Sequence, residues 1–240
     1  MQQDDRLGPQ LPLALRYPPD QRFETWLGAS AALAQMRALA LGESRDARFL
    51  DSMFLQGASG SGKTHLLLAA CAAAEAAGRR AHYLSLARLR GRAREALQGI
   101  EAADLVALDD LDALAGSRDD EVALFDLHNR VRDAGTGLLY AARGVPAALP
   151  LALPDLRSRL AQCTLLALRA LDDDGRACVL RQRAASRGLA FDEAALDWLL
   201  KRCSRDLSGL SALFERLDRA SLAAQRRLTV PFLRQVLGTD

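Results

Sequence analysis

The stretch GASGSGKT, Gly57 to Thr64, carries the clearest chemistry in the chain. Gly57, Gly60 and Gly62, spaced by the small residues Ala58, Ser59 and Ser61, let the backbone turn so that successive N–H groups face one point. The pattern is that of a Walker A loop, in which those donors and the positive end of the following helix dipole cradle phosphate. Lys63 is placed to reach the β and γ phosphates of a nucleotide, and Thr64 to offer its hydroxyl to Mg²⁺. Only Lys63 and Lys201 are lysines, arginine filling every other Lys/Arg position. A lysine kept in this motif points to a need for a compact point charge rather than a fork.

Further along, ADLVALDDLDAL supplies the acidic partner: an apolar run, Leu105 to Leu108, ending in Asp109 and Asp110. This reads as Walker B. A carboxylate at Asp109 can hold Mg²⁺ through water, and Asp110, one methylene shorter than the more usual glutamate, can orient an attacking water.

These residues need a strand before the loop and a helix after it, which SMFLQ and HLLLAACAAAEAA provide. RRAHYLSL predicts a second strand around His82 to Leu86, and GLLYAA and CTLLAL two more after Asp110. SRDDEVALFDLHNRVRDAG predicts a helix with Ser117 and Asp120 as a capping pair, Leu124, Leu127 and Val131 on one face, and Gly135 as its stop. Strands alternating with helices imply an α/β fold, a five-stranded parallel sheet flanked by helices, with nucleotide at the strands' carboxyl ends. From Leu171 onward only helical patterns remain. DDDGRACVLRQRAASRG ends at Gly188 and DEAALDWLLKRC starts from Asp192. RDLSGLSALFERLDRASLAAQ lines up Leu207, Leu210, Leu213, Phe214 and Leu217, and TVPFLRQVL opens at Thr229 with Pro231 in its first turn. The expected organisation is an extended tail over 1–20, a nucleotide-binding core over 21–169 and a small all-helical lid over 170–240.

Bulk properties narrow the class. At 240 residues and 50% apolar, the chain can fill a substantial core, and a net charge of +2 gives no strong pull toward nucleic acid. Cys71, Cys163, Cys178 and Cys203 form no C-x-x-C pair, and His65, His82 and His128 are dispersed, so neither a disulfide framework nor a zinc site is legible. No uncharged apolar run reaches membrane-spanning length and the start, MQQDDR, lacks signal-peptide character, so a cytoplasmic location is expected. ARLRGRAR places Arg88, Arg90, Arg92 and Arg94 within seven residues, either a non-specific contact to DNA phosphates or a solvated face. At the other extreme, GPQLPLALRYPPD alternates Leu11, Leu13 and Leu15 between prolines that forbid a helix. An extended apolar tail of this kind suits a partner's groove.

A P-loop core followed by a helical lid is the plan of AAA+ proteins. GASGSGKTHLLLA, ALDDLDAL, LPDLRSRL and RDLSGL resemble the bacterial replication initiator DnaA, and FDLHNR with LDRASLAAQRRLTVPF resembles the DnaA-related Hda regulators, over Phe23 to Leu237. With the sequence ending at Asp240, no helix-turn-helix domain of the initiator type is expected. The resemblance implies that Gln10, Leu11, Leu13 and Leu15 form a peptide that binds the DNA polymerase III sliding clamp (β subunit). It likewise implies that Arg159 is an arginine finger acting on a neighbour's ATP site, with Arg157 as the alternative, and that Arg205 is a sensor 2 residue contacting the chain's own nucleotide. One position departs from the family: where a polar sensor 1 residue, commonly aspartate, ends the fourth strand, this chain has Ala141, Ala142 and Arg143. Bound ADP or ATP, with Mg²⁺, is therefore expected to set conformation more than to turn over. The implied function is to bind the clamp and stimulate hydrolysis of ATP on DnaA, inactivating it and preventing re-initiation. The alternatives are a loader acting on the replicative helicase, which should not need QLPLAL, and a self-contained P-loop ATPase or kinase. Because a neighbour contact of this type is head-to-tail, a homodimer and a short filament are both compatible with it.

Overall fold

The computed structural model of the protein describes residues 17, 18, 20–28, 30–43, 52–186, 188, 192–202, 213, 216, 217, 220 and 228–238. The expected clamp-binding residues Gln10, Leu11, Leu13 and Leu15, and the sensor 2 candidate Arg205, lie outside the described residues.

A 3₁₀ turn, Phe23–Thr25, leads into helix α1 (Ser30–Leu41). The core then alternates β1 (Ser52–Gln56), α2 (Lys63–Ala76), β2 (Ala81–Ser85), a short α3 (Ala93–Ala96), β3 (Leu105–Asp109), α4 (Arg118–Ala134), β4 (Gly137–Ala142), α5 (Pro154–Ala161) and β5 (Thr164–Ala167). The five strands form one parallel sheet in the order β2-β3-β4-β1-β5. Central strands covered on both faces read as unbroken apolar runs rather than alternating ones, and LVALD and GLLYAA are buried at every position. Successive side chains still divide between the faces. Phe54, Val106, Leu108, Leu138 and Tyr140 pack against Leu124 and Leu127 of α4 and Leu156 and Leu160 of α5. Met53, Leu55, Leu105, Ala107 and Leu139 pack on the opposite face against α1 and α2. The alanine-rich α2 buries Ala69, Ala70, Cys71 and Ala74 almost completely, which brings its axis close to the sheet and aims its first turn at the ends of β1 and β3.

Three local expectations change. The second strand ends at Ser85, because Leu86 turns into a 3₁₀ segment, Leu86–Arg88, and is fully buried there. The edge strand β5 is shorter than CTLLAL and leaves Leu165 51% exposed. Ser117 does occupy the N-cap of α4, but its side chain makes no capping bond. Asp120 is drawn elsewhere: its buried carboxylate accepts from the backbone N–H of Gly91 (2.8 Å) and Ala93 (3.3 Å) and from Ser117 Oγ (2.8 Å). The helix ends as expected at Gly135, in left-handed conformation with φ 69°.

Beyond β5 lie α6 (Asp173–Ser186), α7 (Glu193–Arg202) and α8 (Val230–Leu237), which share their own core of Leu180, Leu196, Leu199, Leu217, Leu228 and Leu233. Among the described residues no helix is long and apolar enough to cross a membrane.

Candidate functional site

The strand order places the ends of β1, β4 and β3 side by side, and with them the loop 57–62, Arg143 and the acids Asp109 and Asp110. They border a cavity of about 520 Å³ whose opposite wall is formed by residues 20–27 and by α6 of the lid. The loop is shaped by its glycines where contacts demand them. A Cβ on Gly57 would meet Ser61 Oγ at 2.4 Å and the Leu168 carbonyl at 2.7 Å. Gly62 has φ 89°, and a Cβ there would lie 2.3 Å from the Trp26 indole.

The motif residues converge. Lys63 Nζ donates to the carbonyls of Gly57 (2.7 Å) and Ala58 (2.9 Å), folding the ammonium over its own loop. Thr64 Oγ1 donates to Asp109 Oδ2 at 2.5 Å, so the first turn of α2 and the end of β3 meet through the two groups expected to share a metal ion. Tyr83 of β2 donates to the same carboxylate oxygen at 3.0 Å. Asp110 leaves the strand with φ 58°, the left-handed conformation, unique among non-glycine described residues. That turn carries its carboxylate onto Ser85 Oγ at 2.7 Å, and a bulky side chain is poorly tolerated in such a conformation.

Burial pushes the Asp109 carboxyl up, and the nearby charge of Asp110 adds to this while the Thr64 and Tyr83 hydrogen bonds oppose it. Burial lowers Lys63, against the attraction of Asp109, Asp112 and Asp110 and with the repulsion of Arg143. Each group therefore favours an opposite charge beside it: a cation for Asp109, an anion for Lys63. The hydroxyl–carboxylate pair suits Mg²⁺, which takes few protein ligands and completes its shell with water and phosphate.

Several residues around the cavity escaped the sequence patterns. Trp26 leans over Gly62, with its ring centroid 5.6 Å from that of His65. His65 Nε2 lies 3.0 Å from the Arg22 carbonyl, the geometry of a donated bond, and burial lowers its pKa, so a neutral ring buttresses the segment 20–28. Asp20 and Arg183, both buried, pair across the wall with Nε to Oδ2 at 3.4 Å, joining that segment to α6. Neither Trp26 nor the ion pair carries a motif in the sequence, and the pair joins residues too far apart to announce it.

The two arginines of LPDLRSRL separate in role. Arg157 Nη2 donates to the Leu151 carbonyl at 2.5 Å and braces the start of α5. Arg159, half-buried on the same helix, is not part of the cavity, and among the described residues its side chain has neither hydrogen bond nor ion-pair partner. The helix is held by Glu121, fully buried in α4, which accepts from the N–H groups of Gly116 (2.7 Å), Ala152 (3.0 Å) and Leu153 (2.7 Å). One carboxylate thus ties the turn that follows Asp109 and Asp110 to the first turn of α5. Arg88, Arg90, Arg92 and Arg94 are all exposed on the segment around α3.

Comparison with known proteins agrees with this fold. The family model of the bacterial DnaA ATPase domain matches residues 18–167, and that of the Hda lid domain matches residues 173–237. Domain III of the Thermotoga maritima replication initiation protein DnaA superposes with a TM-score of 0.72 at 20% identity, over 92% of this chain and 97% of that one. AMPPCP-bound DnaA from Aquifex aeolicus superposes with a TM-score of 0.64 at 21% identity, over 86% and 67%. For the replication initiator DnaA bound to AMPPCP and single-stranded DNA the values are 0.64 and 23%, over 83% of this chain and 65% of that one. These structural likenesses establish a shared fold, and the chain spans about two thirds of the length of the longer initiators. With the DnaA ATPase model covering more than half of its residues and the Hda lid model most of the remainder, the chain belongs to the DnaA/Hda-related family of AAA+ proteins.

Proposed function

We propose that this protein is a regulator of replication initiation that binds an adenine nucleotide in its own P-loop site, attaches to the DNA polymerase III sliding clamp through residues 10–15, and presents Arg159 to ATP-bound DnaA, stimulating hydrolysis there and so inactivating the initiator. The observation that carries the reading is the contrast between the two sites. Arg159 stands apart from the chain's own cavity, without an ion-pair partner among the described residues, on a helix fixed by Glu121. A guanidinium so placed can enter a neighbour's site and stabilise charge developing on a transferring phosphoryl group, an effect worth roughly 10³ to 10⁵ in rate.

In the chain's own site, Lys63 and the loop N–H groups would hold the phosphates, Thr64 and Asp109 would hold Mg²⁺, and Asp110 would orient water. The metal ion, when bound, neutralises phosphate charge. Arg143, in place of an acidic or amide side chain at the end of β4, argues against efficient turnover and for ADP or ATP as a conformational ligand. The exposed arginines 88 to 94 would add sequence-independent contacts to the DNA that the clamp encircles. A cytoplasmic location would suit these partners, and Arg159 would equally serve a head-to-tail contact between copies of this chain.

The test is the fate of ATP pre-bound to the cognate initiator, with clamp loaded on DNA. Wild-type protein should accelerate its hydrolysis, while Arg159→Ala and Leu13→Ala/Leu15→Ala should not. No acceleration by wild-type protein would reject the initiator as partner and direct the same assay to the replicative helicase.

A further inference from the structure

Arg143 is the first residue after β4, the strand that lies between β1 and β3. It therefore emerges between the phosphate loop and the acids of β3. Its backbone is clamped on both sides: the N–H donates to Asp112 Oδ1 (3.1 Å) and Oδ2 (2.9 Å), and the carbonyl accepts from Gln56 Nε2 (3.3 Å). The side chain, by contrast, is exposed, borders the cavity, and among the described residues makes no hydrogen bond or ion pair. The acids nearby are already engaged, Asp109 by Thr64 and Tyr83, Asp110 by Ser85, and Asp112 by the Arg143 backbone itself. It shares the lining of the cavity with Lys63 of the phosphate loop. Two cations border one cavity, and the guanidinium of Arg143 has no side-chain carboxylate partner of its own among the described residues, so an anion fits between them.

We infer that Arg143 is a phosphate-binding residue of the chain's own nucleotide site, a second cation that grips the terminal phosphate and lets nucleotide bind with little dependence on a divalent metal ion. This deepens the nucleotide reading given above and rests on it. The planar guanidinium matches phosphate oxygens through two parallel N–H donors. An acid in the same place would repel the phosphates and leave Mg²⁺ to offset both charges. With arginine there the protein itself supplies that neutralisation, so ADP or ATP is retained when the metal ion is withdrawn.

Equilibrium titration with N-methylanthraniloyl-ATP and -ADP, in excess Mg²⁺ and in EDTA, tests the inference on wild type, Arg143→Ala and Arg143→Asp, with Lys63→Ala as the reference for loss of the phosphate loop. Wild type should weaken by no more than about threefold in EDTA. Arg143→Ala should lose about tenfold or more in EDTA, as expected for a charge-assisted hydrogen bond, and clearly less in Mg²⁺. Arg143→Asp should bind only when Mg²⁺ is present. Since the Arg143 side chain is exposed, both Arg143 variants should keep the wild-type unfolding midpoint. Wild-type binding that collapses in EDTA, or Arg143 variants that match wild type there, would overturn the inference and leave the nucleotide reading standing. Absence of wild-type binding in both buffers, with no difference from Lys63→Ala, would overturn the two together.

Discussion

Gly62 sits where two constraints meet, a φ of 89° and a Trp26 indole that fills the place a Cβ would take. Gly62→Ala should strain the loop and displace the indole, costing roughly 1 to 3 kcal/mol. Chemical denaturation measures the loss, and a Gly62→Ala/Trp26→Ala double variant should recover the part due to the clash while the backbone part persists. His128 offers a pH prediction. Buried against Tyr140, with Nδ1 3.0 Å from its hydroxyl and the charges of Arg159 and Arg132 nearby, its pKa falls from the usual 6.5 to about 4, desolvation being the main cause. The folded state thus resists a proton that the unfolded chain accepts, so stability from this group is intact above about pH 6.5 and is lost as pH falls from there toward 4. Denaturation midpoints measured at pH 7 and pH 5 should differ more for wild type than for His128→Asn; an equal difference would mean that His128 is not the group responsible. At this scale the sequence was most readable where chemistry and glycine geometry coincide, as in Gly57 to Thr64, and least readable where a side chain's task is set by distant neighbours. Asp120 is the instructive case: its spacing from Ser117 matches a capping box, yet burial beside Gly91 and Ala93 offered its carboxylate two backbone donors instead.

Among elements, α5 is short, eight residues, and buries only Leu156 and Leu160. Its orientation owes much to Glu121, whose carboxylate accepts three backbone N–H groups from two segments. Glu121→Gln keeps the volume but not the charge-assisted acceptors, and should cost about 1.5 to 3 kcal/mol in chemical denaturation. Hydrogen exchange should quicken specifically at Gly116, Ala152 and Leu153; a uniform change across the sheet would instead indicate general loosening. The strands were recoverable from apolar runs because parallel strands covered on both faces leave that signature. Helices α2 and α4 were recoverable from the patterns that follow the loop and Ser117, whereas α1, α3 and α5 carried no pattern that singled them out. The end of β2 was not recoverable, since Leu86 is as apolar inside its 3₁₀ turn as it would be in a strand. Nor could pattern reveal that a glutamate in α4 governs the helix that bears Arg159, because the bonds that do so run from main chain more than thirty residues away.

At the scale of the molecule, the lid and the core are joined across the cavity by Arg183 and Asp20. Arg183→Ala should loosen that junction, since breaking a buried pair is costly even where the pair itself adds little net stability. Hydrogen exchange should rise in α6 and in residues 20–27 while β1, β3 and β4 keep their protection; unchanged exchange in α6 would show that its own core suffices to hold it. The two-part organisation was visible in the switch from alternating to purely helical patterns, whereas the ion pair that connects the parts was not. Its position has a mechanical meaning. Asp20 opens the segment that walls the cavity, and Arg183 belongs to the lid, so wall and lid hang on the same rivet. Anything that pulls on that segment pulls, through one carboxylate, on the roof of the cavity.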